Sequence, residues 1–154
     1  MNDPRGHRAL PYHPDAYDEH FALRVPLLLW LVLALAVHPQ VLLLLSHLPQ
    51  GGGEFAYLAG LVDGPALVAT VPAIAVLAAA ARRRPAAGPA VRWLWRRGAW
   101  LLLVTLLANF SLCLSNPYSL WSGLRMTADL AAAGILVGVA RVRDTFADFP
   151  VLPV

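Results

Sequence analysis

The sequence predicts an all-α integral membrane protein, a bundle of four transmembrane helices with both termini in the cytoplasm. The prediction depends on the composition, on one long uncharged run near the N-terminus, and on the position of the arginines. Of 154 residues, 58% are hydrophobic and 14% are charged, and the mean hydropathy is +0.60. These values lie outside the usage of soluble globular proteins and inside that of membrane proteins.

The first predicted span is the run from Val25 to Leu48, which contains no Asp, Glu, Lys or Arg. As a helix it would be ~36 Å long, enough to cross a hydrocarbon core of ~30 Å with some tilt. Pro39 lies inside it and cannot donate a hydrogen bond to the carbonyl of Leu35, so we expect a kink. The alternative is a re-entrant hairpin of two half-helices, 25–37 and 41–48.

The second apolar segment runs from Phe55 to Ala81, after a turn with three consecutive glycines at 51–53. Asp63-Gly64-Pro65 interrupts it, which leaves two alternatives. Either the helix begins early and kinks there, or residues 55–64 lie at the membrane interface and the span is 65–81. We favour the second because proline is a good first-turn residue; Pro72 adds a further bend.

The segment 82–97 is strongly basic and contains three arginines in a row followed by three more. The six are Arg82, Arg83, Arg84, Arg92, Arg96 and Arg97. The positive-inside rule makes this segment a cytoplasmic loop, and the tryptophans among the arginines favour the headgroup level. These arginines therefore indicate topology first and contact with lipid headgroups second.

The third and fourth spans are predicted at 98–114 and 120–140, with a turn at Ser115-Asn-Pro-Tyr118 between them. Residues 1–24 form a solvated cytoplasmic tail, with a short interfacial turn around 17–23 as an alternative for that part. Residues 141–154 form a second cytoplasmic tail, in which an acidic, proline-bounded stretch follows Arg141 and Arg143. Arginines flank the start of span one, the loop 82–97 and the end of span four, whereas the loops 49–54 and 115–119 have none. Four crossings place every arginine-containing loop or tail in the cytoplasm and both arginine-free loops outside, as the positive-inside rule requires. The re-entrant hairpin would place the six-arginine loop outside and is rejected.

The chain contains Asp15-x-Tyr17-Asp18, Leu23-Arg24-Val-Pro26 through Trp30, His38, an apolar segment ending in Arg82-Arg83, and Arg92-x-Leu94-Trp95-Arg96. In these residues most of the chain resembles the YfeZ-like family of small bacterial inner-membrane proteins, and the more specific match lies before and into the first helix. The family is known chiefly as a domain of unknown function. The resemblance implies localisation in the inner membrane and supplies no active-site residues. All 12 basic residues are arginine, which is typical of a bacterial genome of high GC content.

Polar side chains inside the spans are the best candidates for function, because hydrocarbon makes them costly. The candidate cluster consists of His38, Asp63, Asn109, Arg125 and Asp129, all in the predicted outer half of the membrane. Arg125 and Asp129 are four residues apart and can pair on one helix face. We expect a structural role for the cluster. Arg125 and Asp129 form an ion pair on span four, and His38 and Asn109 find partners across the bundle. The alternative is a proton or ion pathway.

Small residues at four-residue spacing predict close helix packing in spans two and four. They are Gly60 and Gly64 in the second segment and Gly134 and Gly138 in the fourth span. We expect the two spans either to pack on each other or to face a partner.

The sequence favours a non-enzymatic accessory or assembly subunit that packs against other membrane proteins or against copies of itself. Short loops and the lack of a nucleophile with its base support it. The alternative is a small oligomeric transporter or channel using Asp63, Asp129 and His38. We expect no cofactor or metal, because His38 and His47 lie at different depths, and no nucleic-acid partner, because the arginines report topology.

Overall fold

The computed structural model describes residues 12–18, 22–46, 64–115 and 120–149. This part of the chain is helical, as predicted, with one isolated antiparallel bridge between Tyr17 and Leu23 and a 3₁₀ turn at Pro14–Ala16. The helices are α1 Leu27–Ser46, α2 Gly64–Ala69, α3 Val71–Ala81, α4 Pro89–Arg96, α5 Gly98–Leu114, α6 Leu120–Gly138 and α7 Ala140–Ala147.

Three helical segments in the described ranges are long and apolar enough to cross a membrane, which indicates a membrane protein. They are α1, the continuous stretch 64–81 that contains α2 and α3, and α6. The shorter α5 becomes a fourth candidate when it is joined to α4 across a bend of 56°.

The first helix continues through Pro39, so Leu27–Ser46 is one element and not the two half-helices of a re-entrant hairpin. The second segment breaks at Thr70, two residues before Pro72, whose missing N–H cannot serve the carbonyl of Val68. The question of whether residues 55–63 lie at the interface falls outside the described residues.

The fourth span is shorter than expected, because α6 ends at Gly138 and Val139 adopts extended backbone with φ −89° and ψ 105°. The chain then forms α7, which the sequence prediction treated as part of a tail. The break has a packing reason: it turns Val142 and Phe146 of α7 inward, where both are buried.

At the centre of the bundle, α5 contacts all six other helices, and its strongest neighbour is α6. Within the described residues neither α2 nor α3 packs extensively on α6, so the alternative in which spans two and four pack on each other is not observed there. The core contains Leu29, Val32, Leu33, Ala36, Ala73, Val76, Ala79, Leu102, Leu106, Ala132 and Leu136, with Trp95, Val142 and Phe146 at one end.

Both ends of the described chain meet the segment 82–97 at one end of this bundle. Tyr12 donates a hydrogen bond to Asp144 at 2.6 Å, and the Leu23 backbone N–H donates to the Asp148 carboxylate at 2.7 Å. We call this the basic end, formed by residues 12–18, 22–26, 82–97 and 140–149. The prediction of a solvated N-terminal tail is wrong for this part of it, since Ala16, Tyr17, Ala22 and Leu23 are buried.

Candidate functional site

The polar side chains among the apolar helices fall into three groups, and the first repairs the break at Pro39. Pro39 has no N–H, which leaves the carbonyl of Leu35 without its helical donor. The ring Nδ1 of His38 lies 2.6 Å from this carbonyl oxygen. Because a carbonyl can only accept, Nδ1 must carry the proton. The partner of His38 is therefore in its own helix, and our expectation of a partner across the bundle is wrong for this residue.

The second group joins α1 to the break at Thr70. The side-chain amide of Gln40 donates to the Leu67 carbonyl at 2.9 Å and also to the Thr70 hydroxyl. The Thr70 hydroxyl donates to the same carbonyl at 2.9 Å, and Thr70 is fully buried. A buried carbonyl at a helix break is thus satisfied by two side chains, one of them from the neighbouring helix.

The third group lies between α5 and α6. Arg125 donates from Nη2 to the Asn109 amide oxygen at 3.2 Å, so Asn109 does find its partner across the bundle. Asp129 is buried, with 1% of its surface exposed, and neither carboxylate oxygen has a hydrogen-bond partner. The predicted ion pair with Arg125 does not form, because the Arg125 fork is directed at α5. Four-residue spacing allows that pair but does not require it.

Of the candidate cluster, the structure brings Asn109 and Arg125 into contact and leaves Asp129 separate from both. His38 lies on α1, within electrostatic range of Arg125. Asp63 falls outside the described residues. Among those that are described, no group of three or more His, Cys, Asp or Glu side chains could hold a metal ion.

The six arginines of the basic segment divide into two sets. Arg83 and Arg92 turn inward: Arg83 donates to the Leu23 carbonyl at 2.6 Å and to the Asp148 carbonyl at 3.0 Å. Desolvation holds the pKa of Arg83 below its ordinary value, and the nearby Asp148 and Asp18 oppose that shift. Arg92 donates to the Pro85 carbonyl at 2.8 Å.

Trp95 organises the inner side of the basic end. Its ring is fully buried, lies 4.9 Å from the Phe146 ring, and has the Arg83 guanidinium 5.0 Å above it. Its indole N–H donates to the Thr145 carbonyl at 2.8 Å and more weakly to that of Asp148 at 3.2 Å. This role of Trp95 was not predicted from the sequence. The helical spacing of Val142, Thr145 and Phe146 could have indicated it, because that spacing predicts a buried face on α7 for the ring to pack against.

The other four arginines, Arg82, Arg84, Arg96 and Arg97, are exposed, and none of their guanidinium groups has a hydrogen bond or ion pair with the described part of the chain. Trp93 and Trp100 are exposed near them, at 58% and 68% of their surface. The outer side of the basic end is therefore cationic and aromatic.

The small residues of the fourth span face outward. Gly134 and Gly138 are exposed, and a Cβ added at either would meet nothing within 4 Å. Gly64 is likewise exposed, and Gly60 lies outside the described ranges. Of the two alternatives for span four, packing on span two is not observed in the described residues, and contact with a partner remains a prediction.

Comparison with known proteins gave no match: no family model, no curated protein and no solved structure is significantly similar to this chain.

Proposed function

We propose that the chain is a non-enzymatic integral protein of the bacterial inner membrane that acts as an accessory or assembly subunit packing against other membrane proteins. In this proposal it crosses the bilayer four times, and the basic end faces the cytoplasm. The observation that carries it is how the intramembrane polar groups are used: most bind backbone carbonyls within the bundle.

A transport pathway needs polar groups that face a common lumen along the membrane normal. Here His38 binds the Leu35 carbonyl that Pro39 leaves without a donor, and Gln40 binds the Leu67 carbonyl beside the break at Thr70. Deeper in the bundle, Thr105 donates to the Leu101 carbonyl of its own helix at 3.0 Å. His38 and Thr105 bind carbonyls of their own helices and Gln40 joins two helices, so these groups are engaged inside the bundle and do not line a path. This favours a structural part in a larger assembly.

The outer face of α6 is the surface that we propose for contact with a partner. In an 18-residue window of α6 only 17% of the residues are buried inside the bundle, compared with 33% for α1. The exposed face carries Gly123, Ala131, Gly134 and Gly138 at spacings of one or two turns. Without a hydrophobic force between helices in lipid, close backbone approach at small residues is a main source of association. This face is therefore the proposed contact with another membrane protein.

The proposal is tested by purification from native membranes in mild detergent, followed by identification of the bound proteins. We expect a defined partner that is lost when Gly134 and Gly138 are both replaced by Leu. Ala78→Leu, on the exposed side of α3, is the matched control and should retain the partner. Purification of the wild-type chain without any stoichiometric protein would contradict the accessory role.

A second function, a small oligomeric transporter, is favoured by one observation: the Asp129 carboxylate is buried and unpartnered. A lone ionisable group inside a membrane bundle is a reasonable carrier of a proton. The alternative rests on this residue, since His38 is engaged and Asp63 lies outside the described residues.

A further inference from the structure

We infer that the outer side of the basic end binds the headgroups of anionic phospholipids. The inference rests on the proposed insertion into a membrane but not on the accessory role. Its starting point is the division of the arginines, in which Arg83 and Arg92 bind protein carbonyls and Arg82, Arg84, Arg96 and Arg97 remain exposed.

The two sets differ in what their charge can do. Arg83 is half-buried and is held by two backbone carbonyls, so its fork is already occupied. The guanidinium groups of the exposed four have no partner among the described residues, and each can bind phosphate through two parallel N–H donors. The four positive charges exposed on this side make it complementary to an anionic surface.

The orientation of α4 relative to α5 bears on where this charge lies with respect to the membrane. The axis of α4 departs from that of α5 by 56°, so α4 does not continue the direction of α5. Ala90, Trp93, Arg97 and Trp100 are exposed at helical spacing and form one outer stripe, opposite the buried Trp95. A helix with tryptophan and arginine on one face and a buried ring on the other is suited to the membrane interface.

A second contact lies beside this stripe in the sequence, at the end of α3. Arg82 and Arg84 line an open cleft of about 290 Å³ together with Ala81, Ala86 and Ala87. The three alanines have short side chains and leave room for a group of headgroup size next to the two guanidinium groups. The occupant that we infer is a phospholipid, because the cleft directly follows a membrane-length helical segment, where a lipid phosphate would lie.

Each basic residue near an anionic membrane surface strengthens attraction roughly fivefold, and the effect falls within a Debye length of ~10 Å. Four such residues acting independently would give a preference on the order of hundreds-fold, and salt should weaken it. A soluble anion lacks the local concentration of the membrane surface and should bind far less.

The experiment compares purified protein in nanodiscs of phosphatidylcholine alone and in an equal mixture with phosphatidylglycerol, by thermal unfolding at low and high salt. For the wild-type chain we expect a midpoint several degrees higher in the anionic discs, and a smaller difference at high salt. Replacing the four exposed arginines with Gln should abolish the difference, and replacing them with Lys should retain it. Arg83→Gln, the inward control, should lower both midpoints and keep the difference.

Three results would overturn the inference: equal midpoints for the wild-type chain in the two discs, a difference that survives the four Gln replacements, or equal stabilisation by soluble glycerol phosphate. If the wild-type chain failed to insert into either disc, the proposed function would fail as well. Insertion without any lipid preference would refute this inference alone.

Discussion

Arg125 on α6 donates a hydrogen bond to Asn109 on α5, although Asp129 lies one helical turn away on its own helix. The consequence is an asymmetry between two buried groups. Among the described residues, Asn109 is the acceptor that binds the Arg125 guanidinium, whereas the Asp129 carboxylate has no hydrogen-bond partner. The two residues can therefore be distinguished by substitution.

Asn109→Leu should cost about 1.5–3 kcal/mol of unfolding free energy, because a hydrogen bond to a charged group is lost and the guanidinium remains. Asp129→Asn should cost less than about 1 kcal/mol, since no bonded partner is removed. Unfolding in detergent measures both variants. A larger cost for Asp129→Asn would mean that Asp129 does pair with Arg125 in the membrane protein.

Proton flux into proteoliposomes, measured with the same Asp129→Asn variant, separates the two proposed functions. The accessory role predicts no flux above that of empty liposomes for either wild type or variant. A wild-type flux that Asp129→Asn abolishes, with stability unchanged, would replace the structural account with the transporter.

His38 and Pro39 should be energetically coupled, because the His38 ring serves the carbonyl that Pro39 leaves without a donor. His38→Leu should cost about 1–3 kcal/mol, the range for a buried acceptor left unsatisfied. In a Pro39→Ala background the residue-39 N–H can reach the Leu35 carbonyl, so the same substitution should cost less. The unfolding free energies of the wild type, the two single variants and the double variant in detergent give the coupling energy. Equal costs in the two backgrounds would show that His38 does not repair the proline break.

Trp95→Phe and Trp93→Phe are the same change on opposite faces of α4. Trp95→Phe keeps a ring beside Phe146 but removes the indole donor to the Thr145 carbonyl, with an expected loss of about 1–3 kcal/mol. It should also speed proteolysis of the segments around residues 12–26 and 140–149, which meet at this end. Trp93→Phe, on the exposed face, should change stability by about 0.5 kcal/mol or less in detergent. Similar losses in both would contradict the packing of the basic end.

Gly98 permits the close approach of α7 to the start of α5. A Cβ at Gly98 would overlap the Phe146 ring, with Cδ1 at 2.8 Å. We expect Gly98→Ala to cost about 1–3 kcal/mol, as overpacking does, and Phe146→Leu to recover part of the loss. Gly123→Ala is the matched control: nothing lies within 4 Å of its added Cβ, so it should be neutral or stabilising in detergent. A neutral Gly98→Ala would contradict this contact.

The sequence was most informative where one long apolar run decides the structure. α5 occupies Gly98–Leu114, the range expected for the third span, and α1 lies within the expected 25–48. It was least informative where the partner is distant. Proline and charge indicated a solvated N-terminal tail, but the contacts that order Tyr12 and Leu23 come from Asp144 and Asp148, at the other end of the chain.

The candidate cluster shows the same limit. Polar residues within apolar runs could be identified from the sequence, and Asn109, Arg125 and Asp129 are indeed inside the bundle. Which of two acceptors Arg125 would bind depends on the rotation of α6 against α5, and helical spacing within one helix does not contain that information.

In the proposed topology, both termini and the segment 82–97 lie on the cytoplasmic side of a bundle that crosses the membrane four times. Single cysteines placed at Gly52, Gly88 and Ser119 in a Cys113→Ala background test it, with a membrane-impermeant thiol reagent added to whole cells. The account predicts labelling at positions 52 and 119, and labelling at position 88 only after the membrane is permeabilised. Labelling of position 88 in intact cells would contradict it.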